Sequence, residues 1–412
     1  MAEVTARKRG SSWSYSFELA RVDGKRRRKE KGGFRTKKEA LEAGVKAKSE
    51  YDNSGQTFTP SEISVADYMD YWITNYVKIN CSLNTLEAYE GIVKNHIKPK
   101  LGTYKLKSIT PAILQEFIND IHMRGYSKNM MVNIKSVLSG SFEYAADTCK
   151  FISDTPATRI KLPKFAKKKK ERSVVTPEQF DKIVTRFDKD TNFYLPIMLG
   201  YHCGLRIGEC FGLTWDCIDF KTMTLTVNKA LNYDDTNKKW YYSAPKTKTS
   251  NRTILLGTTI LNLLKKERIK QKENKLRYGE FYTSQYIRDV DISGRQLQYI
   301  EEYMNTNICA AEKVEPVCVK ENGSMLTTGS FRYCSRVVHY ELGIPEFDYH
   351  SLRHTHATFL IEAGANIKDV QERLGHTNIE TTLNTYVHNT DTLRDQSIDI
   401  FEKVIEEKKK QA

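Results

Sequence analysis

The chain has 412 residues, 39% of them hydrophobic, which is enough for roughly two to four domains with cores of their own. A formal net charge of +14, from 65 Lys and Arg against 51 Asp and Glu, favours a polyanionic partner. Nucleic acid is the first candidate and an anionic membrane surface is the alternative. No run approaches the ~20 apolar residues of a membrane span, and the N-terminus has no apolar signal segment. The eight cysteines form no C-x-x-C pair, so we expect a reduced, cytoplasmic protein without a disulfide framework.

Residues 1–56 are predicted to form a basic unit of three strands and one helix. Apolar residues alternate along Ser12–Val22, which indicates a strand, and Asp23-Gly24 indicates a tight hairpin turn. A cationic return strand follows, and Thr36 is a candidate N-cap for a helix over residues 37–53. A basic β-ribbon can enter the major groove of DNA, whereas the alternative is a solvated charged hairpin. The candidate DNA contacts here are Arg26, Arg27 and Arg28.

Residues 60–161 are predicted to be entirely helical. Apolar residues recur at helical spacing, and Thr110 followed by Pro111 is a typical helix start. These stripes indicate a helical core rather than a cofactor site. Lys94 and Lys128 are candidate phosphate contacts, with a solvated surface lysine as the alternative for each.

Residues 162–172 are predicted to be a basic linker. A run of like charges repels itself unless it lies against phosphate, so we expect this segment to cross a DNA backbone. Its candidate contacts are Lys167, Lys168, Lys169 and Lys170.

Residues 173–390 are predicted to form one further domain, and residues 391–412 a terminal amphipathic helix. The domain begins at a helix start, Thr176-Pro177, and its strands place Lys246 on a hairpin. Residues 276–316 look like an insertion, to which we assign no function.

The stretch from Tyr349 to His388 holds the side chains with the clearest chemistry. His350 and Arg353 share a helix face, Gly375 is a helix stop with His376 just beyond it, and Tyr386 follows. Arginine binds two phosphate oxygens, histidine moves protons near neutral pH, and a tyrosine hydroxyl can attack phosphorus. A metal clamp is not suggested, because no carboxylate cluster is nearby and Arg353 separates His350 from His354.

Three motifs together carry a family resemblance: HSLRHTHAT from His350 with LGHTNIETTLNTY from Leu374, GLRIGE from Gly204, and a lysine segment before Arg252-Thr253-Ile254. They look like tyrosine recombinases of the lambda-integrase class, and residues 1–56 resemble the arm-type DNA-binding domain of conjugative-transposon integrases. The resemblance implies a multidomain α+β fold. Its parts are a small N-terminal three-stranded sheet with a helix, an all-helical core-binding domain, and a mainly helical catalytic domain with a small β-sheet.

The resemblance also implies six catalytic residues: Arg206, Lys246, His350, Arg353, His376 and the nucleophile Tyr386. Lys248 remains an alternative to Lys246. Glu209 is expected to orient this site without touching the reacting phosphate. The implied reaction joins Tyr386 to a DNA 3′-phosphate and needs neither metal nor ATP nor another cofactor.

The implied function is integration and excision of a mobile element. The implied partners are double-stranded DNA at element ends and target sites, and further copies in a homotetramer whose C-terminal tails dock in trans. An accessory excision factor is a further candidate, no membrane partner is expected, and the expected location is the bacterial cytoplasm at the nucleoid. The alternatives are DNA relaxation of the type IB topoisomerase kind and a catalytically silent DNA-binding regulator.

Overall fold

The computed structural model describes residues 4–22, 25–54, 63–165, 174–243, 251–292, 294–304 and 311–375. The chain divides into two units, Met1–Ala166 and Lys167–Ala412. In the part of the chain that is described, no helix has both the length and the apolar character needed to cross a membrane.

The N-terminal sheet follows from the alternation of apolar residues on its central strand. β1 (Thr5–Arg9), β2 (Ser12–Val22) and β3 (Lys25–Phe34) are antiparallel in the order β1-β2-β3. Tyr15 and Phe17 on β2 are buried, and β2 packs against α1 (Lys37–Ser54). The predicted arrangement of three strands and one helix is confirmed.

The next part is all-helical, as predicted from its apolar spacing. Hydroxyl side chains of Ser64, Ser82, Thr110 and Ser127 accept hydrogen bonds from backbone N–H groups and so cap the four longest helices. Tyr68, Trp72 and Phe142 fill its core. The helices are α2 (Val65–Trp72), α3 (Lys78–Asn80), α4 (Leu83–Ile92), α5 (Lys98–Leu101), α6 (Pro111–Met123) and α7 (Lys128–Glu143).

The second unit is mainly helical and carries two small sheets. Its helices are α8 (Pro177–Arg186), α9 (Tyr194–Cys203), α10 (Ile207–Phe211), α11 (Thr258–Tyr278), α12 (Thr328–Tyr340), α13 (Tyr349–Glu362) and α14 (Ile367–Leu374). α9 and α13 pack against each other, and the Tyr349 hydroxyl on α13 donates to the carbonyl of Pro196 on α9 at 3.2 Å.

The strands of this unit divide between two antiparallel sheets. The strands are β4 (Ile218–Asp219), β5 (Thr224–Val227), β6 (Ala230–Asp234), β7 (Lys239–Ser243), β8 (Arg252–Leu255), β9 (Thr283–Ile292), β10 (Arg295–Met304) and β11 (Glu312–Val314). The three-stranded sheet has the order β4-β5-β8, and the five-stranded sheet has the order β11-β9-β10-β7-β6.

This topology corrects the prediction that Lys246 lies on a simple hairpin. β7 and β8, the strands on either side of residues 244–250, belong to different sheets: β7 pairs with β6 and β10, whereas β8 pairs with β5. Alternation along each strand predicts that it is a strand, but it does not choose the partner strand.

The segment predicted as an insertion completes the five-stranded sheet. Its strands β9 and β10 form a long hairpin, and β10 pairs with β7 of the preceding hairpin. A buried hydrogen-bond network fixes this junction: Asp234, with no exposed surface, accepts from the Tyr299 hydroxyl and, at 2.8 Å, from the Asn237 side chain. The insertion is therefore an integral part of the unit.

Candidate active site

Arg206 lies at a sharp junction between two helices. α9 ends at Gly204, whose φ of 65° is in the left-handed region. A Cβ on Gly204 would lie 2.8 Å from Cδ2 of His356 and 2.9 Å from Cδ2 of Leu374, so the position requires glycine. After the buried Leu205, the chain places Arg206 at the N-cap of α10.

The Arg206 guanidinium is held by two acceptors. Nη1 donates to Oε1 of Glu209 at 2.7 Å, and Nη2 donates to the carbonyl of Gly375 at 3.2 Å. The backbone N–H of Arg206 also donates to Oε2 of Glu209 at 2.9 Å. The Arg206 side chain is nevertheless 36% exposed, so this anchored cation is accessible from solvent.

Arg353 approaches the same place from α13 and is fully buried. Nη1 donates to the carbonyl of Gly204 at 2.7 Å, and Nη2 donates to the carbonyl of Leu374 at 2.6 Å. These carbonyls stand at the C-terminal ends of α9 and α14, where helix carbonyls lack helical partners and carry partial negative charge. Two helix ends therefore orient the Arg353 guanidinium.

Glu209 is the carboxylate on which these arginines converge. Arg252 on β8 binds it through two parallel hydrogen bonds, at 3.1 Å to Oε1 and 2.9 Å to Oε2, and Nη1 of Arg353 lies 4.0 Å from Oε2. Burial alone would raise the pKa of Glu209. The hydrogen bonds and charge of Arg252, with the charges of Arg206 and Arg353, outweigh burial and lower that pKa to about 2. The carboxylate is therefore ionised at every physiological pH.

A second pair, His356 and Arg373, supports the same helix ends. Nδ1 of His356 lies 2.9 Å from the carbonyl of Tyr201, which can only accept, so Nδ1 carries the proton. Nε2 then accepts from Nε of Arg373 at 3.0 Å. Burial and then the charge of Arg373 lower the pKa of His356 to about 4, in keeping with a neutral ring. Arg373 also donates to the carbonyl of Leu255 at 3.1 Å, which ties α14 to β8.

His350 lies on α13 one turn before Arg353 and is exposed. Its ring centre is 4.5 Å from that of His354, which is buried, and the two planes are nearly perpendicular. An exposed histidine thus lies on the helix that carries the buried arginine.

The arrangement is suited to an oxyanion. The described residues place three arginines, Arg206, Arg252 and Arg353, around one carboxylate, and charges act strongly where water is excluded. Arginines held in fixed orientations are the groups that bind phosphate oxygens. Among the same residues, no group of three His, Cys, Asp or Glu side chains is arranged to hold a metal ion.

Family models match most of this chain. The model of the phage integrase family matches residues 173–285 and 280–392. An N-terminal SAM-like domain of phage integrases matches residues 64–122, and an arm DNA-binding domain matches residues 4–50. The chain belongs to the phage integrase family.

Relatives of this tyrosine recombinase include a XerC-like recombinase and a transposon protein. A tyrosine recombinase XerC-like protein of Caldanaerobacter subterraneus subsp. tengcongensis is 30% identical over 89% of each chain. The transposase from transposon Tn916 of Enterococcus faecalis is 28% identical over 71% of this chain and 66% of its own. The recombinase thus resembles integrases of conjugative transposons, as its motifs indicated.

Solved structures share the fold of the recombinase. The Tn1549 transposon integrase in complex with transposon right end DNA is 22% identical, with a TM-score of 0.61 over 81% of this chain and 98% of its own. A lambda integrase tetramer bound to a Holliday junction is 17% identical, with a TM-score of 0.54 over 92% of this chain and 96% of its own. The predicted fold class, with its three-stranded sheet, helical part and mainly helical catalytic part, is confirmed.

The structure brings together only some of the residues predicted for the recombinase site. Glu209 is hydrogen-bonded to Arg206 and lies 4.0 Å from Arg353. His350 is on the same helix as Arg353. Lys246, its alternative Lys248, His376 and Tyr386 lie outside the described residues. Of the predicted DNA contacts, Arg28, Lys94 and Lys128 are exposed. The side chains of Arg26, Arg27, Lys167, Lys168, Lys169 and Lys170 lie outside the part of the chain that the structure describes.

Sequence reasoning missed three side chains of the recombinase site: Arg252, His356 and Arg373. A usable signal existed for Arg252. It stands two residues before Ile254, so on a strand both point to the same face, and both are buried. An arginine on the buried face of a strand needs a buried acid, and that acid is Glu209.

Proposed function

We propose that the protein is a site-specific DNA recombinase that integrates and excises a mobile genetic element through a 3′-phosphotyrosyl intermediate. One observation carries the proposal: the partly exposed Arg206 and the buried Arg353 converge on Glu209 and on the end of α14, next to His376 in sequence. A scissile phosphate with two non-bridging oxygens is the ligand that two such guanidinium groups would share.

In the proposed reaction, Tyr386 attacks the scissile phosphate and forms a 3′-phosphotyrosine, and a DNA 5′-hydroxyl leaves. Arg206 and Arg353 stabilise the charge that develops on the phosphate oxygens. Lys246 protonates the leaving 5′-oxygen, with Lys248 as the alternative. His350 assists proton transfer at the tyrosine and His376 donates to the phosphate. The ester conserves the bond energy, so a partner 5′-hydroxyl reverses the step without metal or ATP.

The role of Glu209 in this proposal is to position the arginines. It binds Arg206 through both its backbone N–H and its guanidinium, and it neutralises part of the charge of Arg252 and Arg353. Arginines of like charge would otherwise repel one another before the phosphate arrives.

The proposed partner is double-stranded DNA at element ends and target sites, bound by a homotetramer whose C-terminal tails dock in trans. The net charge of +14 supports a nucleic-acid partner. Further support comes from the integrase of Tn1549, solved with transposon end DNA, and the lambda integrase tetramer, solved on a Holliday junction. An accessory excision factor is a further proposed partner. We also propose that residues 1–56 form the arm-type DNA-binding domain, residues 60–161 the core-binding domain and residues 173–390 the catalytic domain.

A covalent trapping assay tests the proposal. The protein is mixed with nicked suicide DNA carrying a candidate element end, in EDTA, and run on a denaturing gel beside Tyr386→Phe. A shifted protein–DNA band that the variant lacks is expected. Tight binding to the DNA without a band on any element end would contradict the proposal and favour a silent regulator. Relaxation of supercoiled DNA by the monomer would favour topoisomerase-like chemistry.

A further inference from the structure

The long helix α11 carries a row of cations on one face. Arg268, Lys272 and Lys275 are spaced four and three residues apart, which places them on one side of a helix. Together with Lys313 on β11 they line a cavity of about 210 Å³. Among the described residues that line it, Glu315 is the one carboxylate. This basic groove lies between α11 and the last strand of the insertion.

The floor of the basic groove is held rigidly. The Arg268 guanidinium lies 5.7 Å from the ring centre of Trp215 and 5.6 Å from that of Phe220, so two aromatic rings orient it. Trp215 Nε1 donates to the Gln271 side chain at 2.8 Å, and Gln271 donates to the carbonyl of Val317 at 2.7 Å. Side chains fixed in this way lose little conformational freedom when a ligand binds.

The insertion brings Lys313 to the groove. The backbone N–H of Trp215 donates to the carbonyl of Glu315 at 3.0 Å, and that of Val317 donates to the carbonyl of Leu213 at 2.9 Å. These bonds anchor the chain that leaves β11 beside α11. The sequence alone indicates no function for this segment, whereas the structure places one of its basic residues opposite a basic helix.

The groove cations repel one another. Lys275 and Lys313 both line the groove, and burial together with the neighbouring Lys275 lowers the pKa of Lys313. Within the described ranges, no carboxylate oxygen lies within 4.0 Å of the cationic nitrogens of Arg268, Lys272, Lys275 or Lys313. A bound anion would relieve this repulsion.

We propose that the basic groove binds the phosphodiester backbone of duplex DNA, as a surface separate from the arginine cluster of the candidate active site. The row from Arg268 to Lys275 spans about 10 Å of helix. One strand of a duplex carries one phosphate for each ~3.4 Å of the duplex axis, so a row of this length can contact about two or three phosphates. The choice of DNA over an acidic peptide rests on the proposed function.

The test compares two double variants in a Tyr386→Phe background. One removes two groove cations, Lys275→Ala with Lys313→Ala. The control, Lys265→Ala with Lys266→Ala, removes the same charge from exposed positions of α11 that do not line the groove. Affinity for a random-sequence duplex of about 40 base pairs is measured as a function of salt concentration.

The groove variant is expected to reduce the slope of log K against log salt by about 1.8, which is about 0.9 for each phosphate that the variant no longer neutralises. The control variant, Lys265→Ala with Lys266→Ala, is expected to reduce this slope by less than half of the reduction in the groove variant. The melting temperature of the groove variant should stay the same or rise, because two neighbouring like charges are removed, so a weaker affinity would not reflect unfolding.

Equal slopes for the two double variants would overturn the proposal. So would an unchanged DNA slope accompanied by weaker binding of poly-glutamate, which would assign the groove to acidic peptides. Equilibrium binding needs no strand cleavage. A failed trapping assay would therefore contradict the proposed reaction, whereas equal salt slopes would contradict only DNA binding by the groove.

Discussion

Glu209 links three arginines that come from distant parts of the sequence. It is 7% exposed and neutralises Arg252, which is 8% exposed and binds it through two hydrogen bonds. Removing one partner of a buried ion pair leaves the other charge uncompensated, which costs far more than losing a surface pair. Loss of either partner alone is therefore costly, and Glu209 also fixes the position of Arg206.

We expect Arg252→Gln to lower the free energy of unfolding by about 3 kcal/mol, because Glu209 would keep its charge without its main partner. Urea unfolding of the two proteins measures the difference. Arg288→Gln is the control: Arg288 is 57% exposed and pairs with Glu301 at 3.2 Å, so its loss should cost less than about 1 kcal/mol. Additive effects of Arg252→Gln and Glu209→Gln in the double variant would show that the two side chains are not coupled.

His356 makes the unit sensitive to mild acid. Its pKa is about 4 in the folded protein against an ordinary value of 6.5, through burial and the charges of Arg373, His202 and Arg353. Between these pH values the unfolded chain binds a proton that the folded chain does not, so the free energy of unfolding falls as pH is lowered from 6.5 to 4. The loss should be about 2 to 3 kcal/mol.

Urea unfolding at a series of pH values checks this expectation, with His356→Gln as the comparison. The variant should be less stable at pH 7 but should lose less stability between pH 6.5 and 4. If the stability of both proteins fell equally between pH 6.5 and 4, the pH dependence could not be assigned to His356. Glu209 acts in a lower window: its depressed pKa gives stability that is present above pH 4.5 and lost as pH falls towards 2.

The end of α9 is the element that aims the arginines, and its geometry depends on Gly204. Gly204 and Gly364 both have positive φ, at 65° and 83°. A Cβ on Gly204 would lie within 3 Å of His356 and Leu374, whereas a Cβ on Gly364 would have no heavy atom within 4 Å. Comparing alanine substitutions at these two glycines therefore separates the cost of backbone strain from the cost of steric overlap.

Gly364→Ala should cost about 1 kcal/mol from backbone strain alone. Gly204→Ala should cost at least about 2 kcal/mol more, because His356 and Leu374 must move. It should also lower the yield of the trapped covalent complex, since the Gly204 carbonyl orients Arg353. Equal losses of stability for the two variants, measured by urea unfolding, would argue against a packing constraint at α9.

The β10 strand holds the β6–β7 hairpin through Tyr299. Tyr299→Phe removes a donor from the fully buried Asp234 and should cost about 1 to 2 kcal/mol. Amide hydrogen exchange in Lys239–Ser243 should become faster. Tyr303→Phe, on the same strand, breaks a 2.8 Å bond to Glu301 and serves as the control. Unchanged exchange in Tyr299→Phe would show that the insertion does not stabilise this hairpin.

The whole chain consists of two units, each with buried apolar residues of its own. Units with separate cores commonly unfold as separate transitions. We therefore expect two calorimetric transitions: Phe142→Ala should lower the melting temperature of one, and Arg252→Gln should lower that of the other. A single transition shifted by both variants would contradict this expectation.

Elements that depend on local signals could be predicted from the sequence. The strand Ser12–Val22, the cap at Thr110, the helix start at Thr176-Pro177 and the stop at Gly375 all agree with the structure. What could not be predicted depends on pairing between distant segments. β9 and β10 have no clean alternation, and their place beside β7 is set by tertiary contacts such as Tyr299 with Asp234. Arg252 likewise looks like a surface cation until its partner Glu209 is located.

Because three arginines share one carboxylate, the site will show strong epistasis. A mutational library that changes Arg252 alone would score that position as intolerant, although the intolerance would come from the unpaired Glu209 and not from chemistry on DNA. Substitutions at both positions together would remove that charge imbalance, although Arg206 would still lose its anchor. Engineering of this recombinase for new DNA sites should therefore leave Arg206, Glu209, Arg252 and Arg353 together as one fixed block.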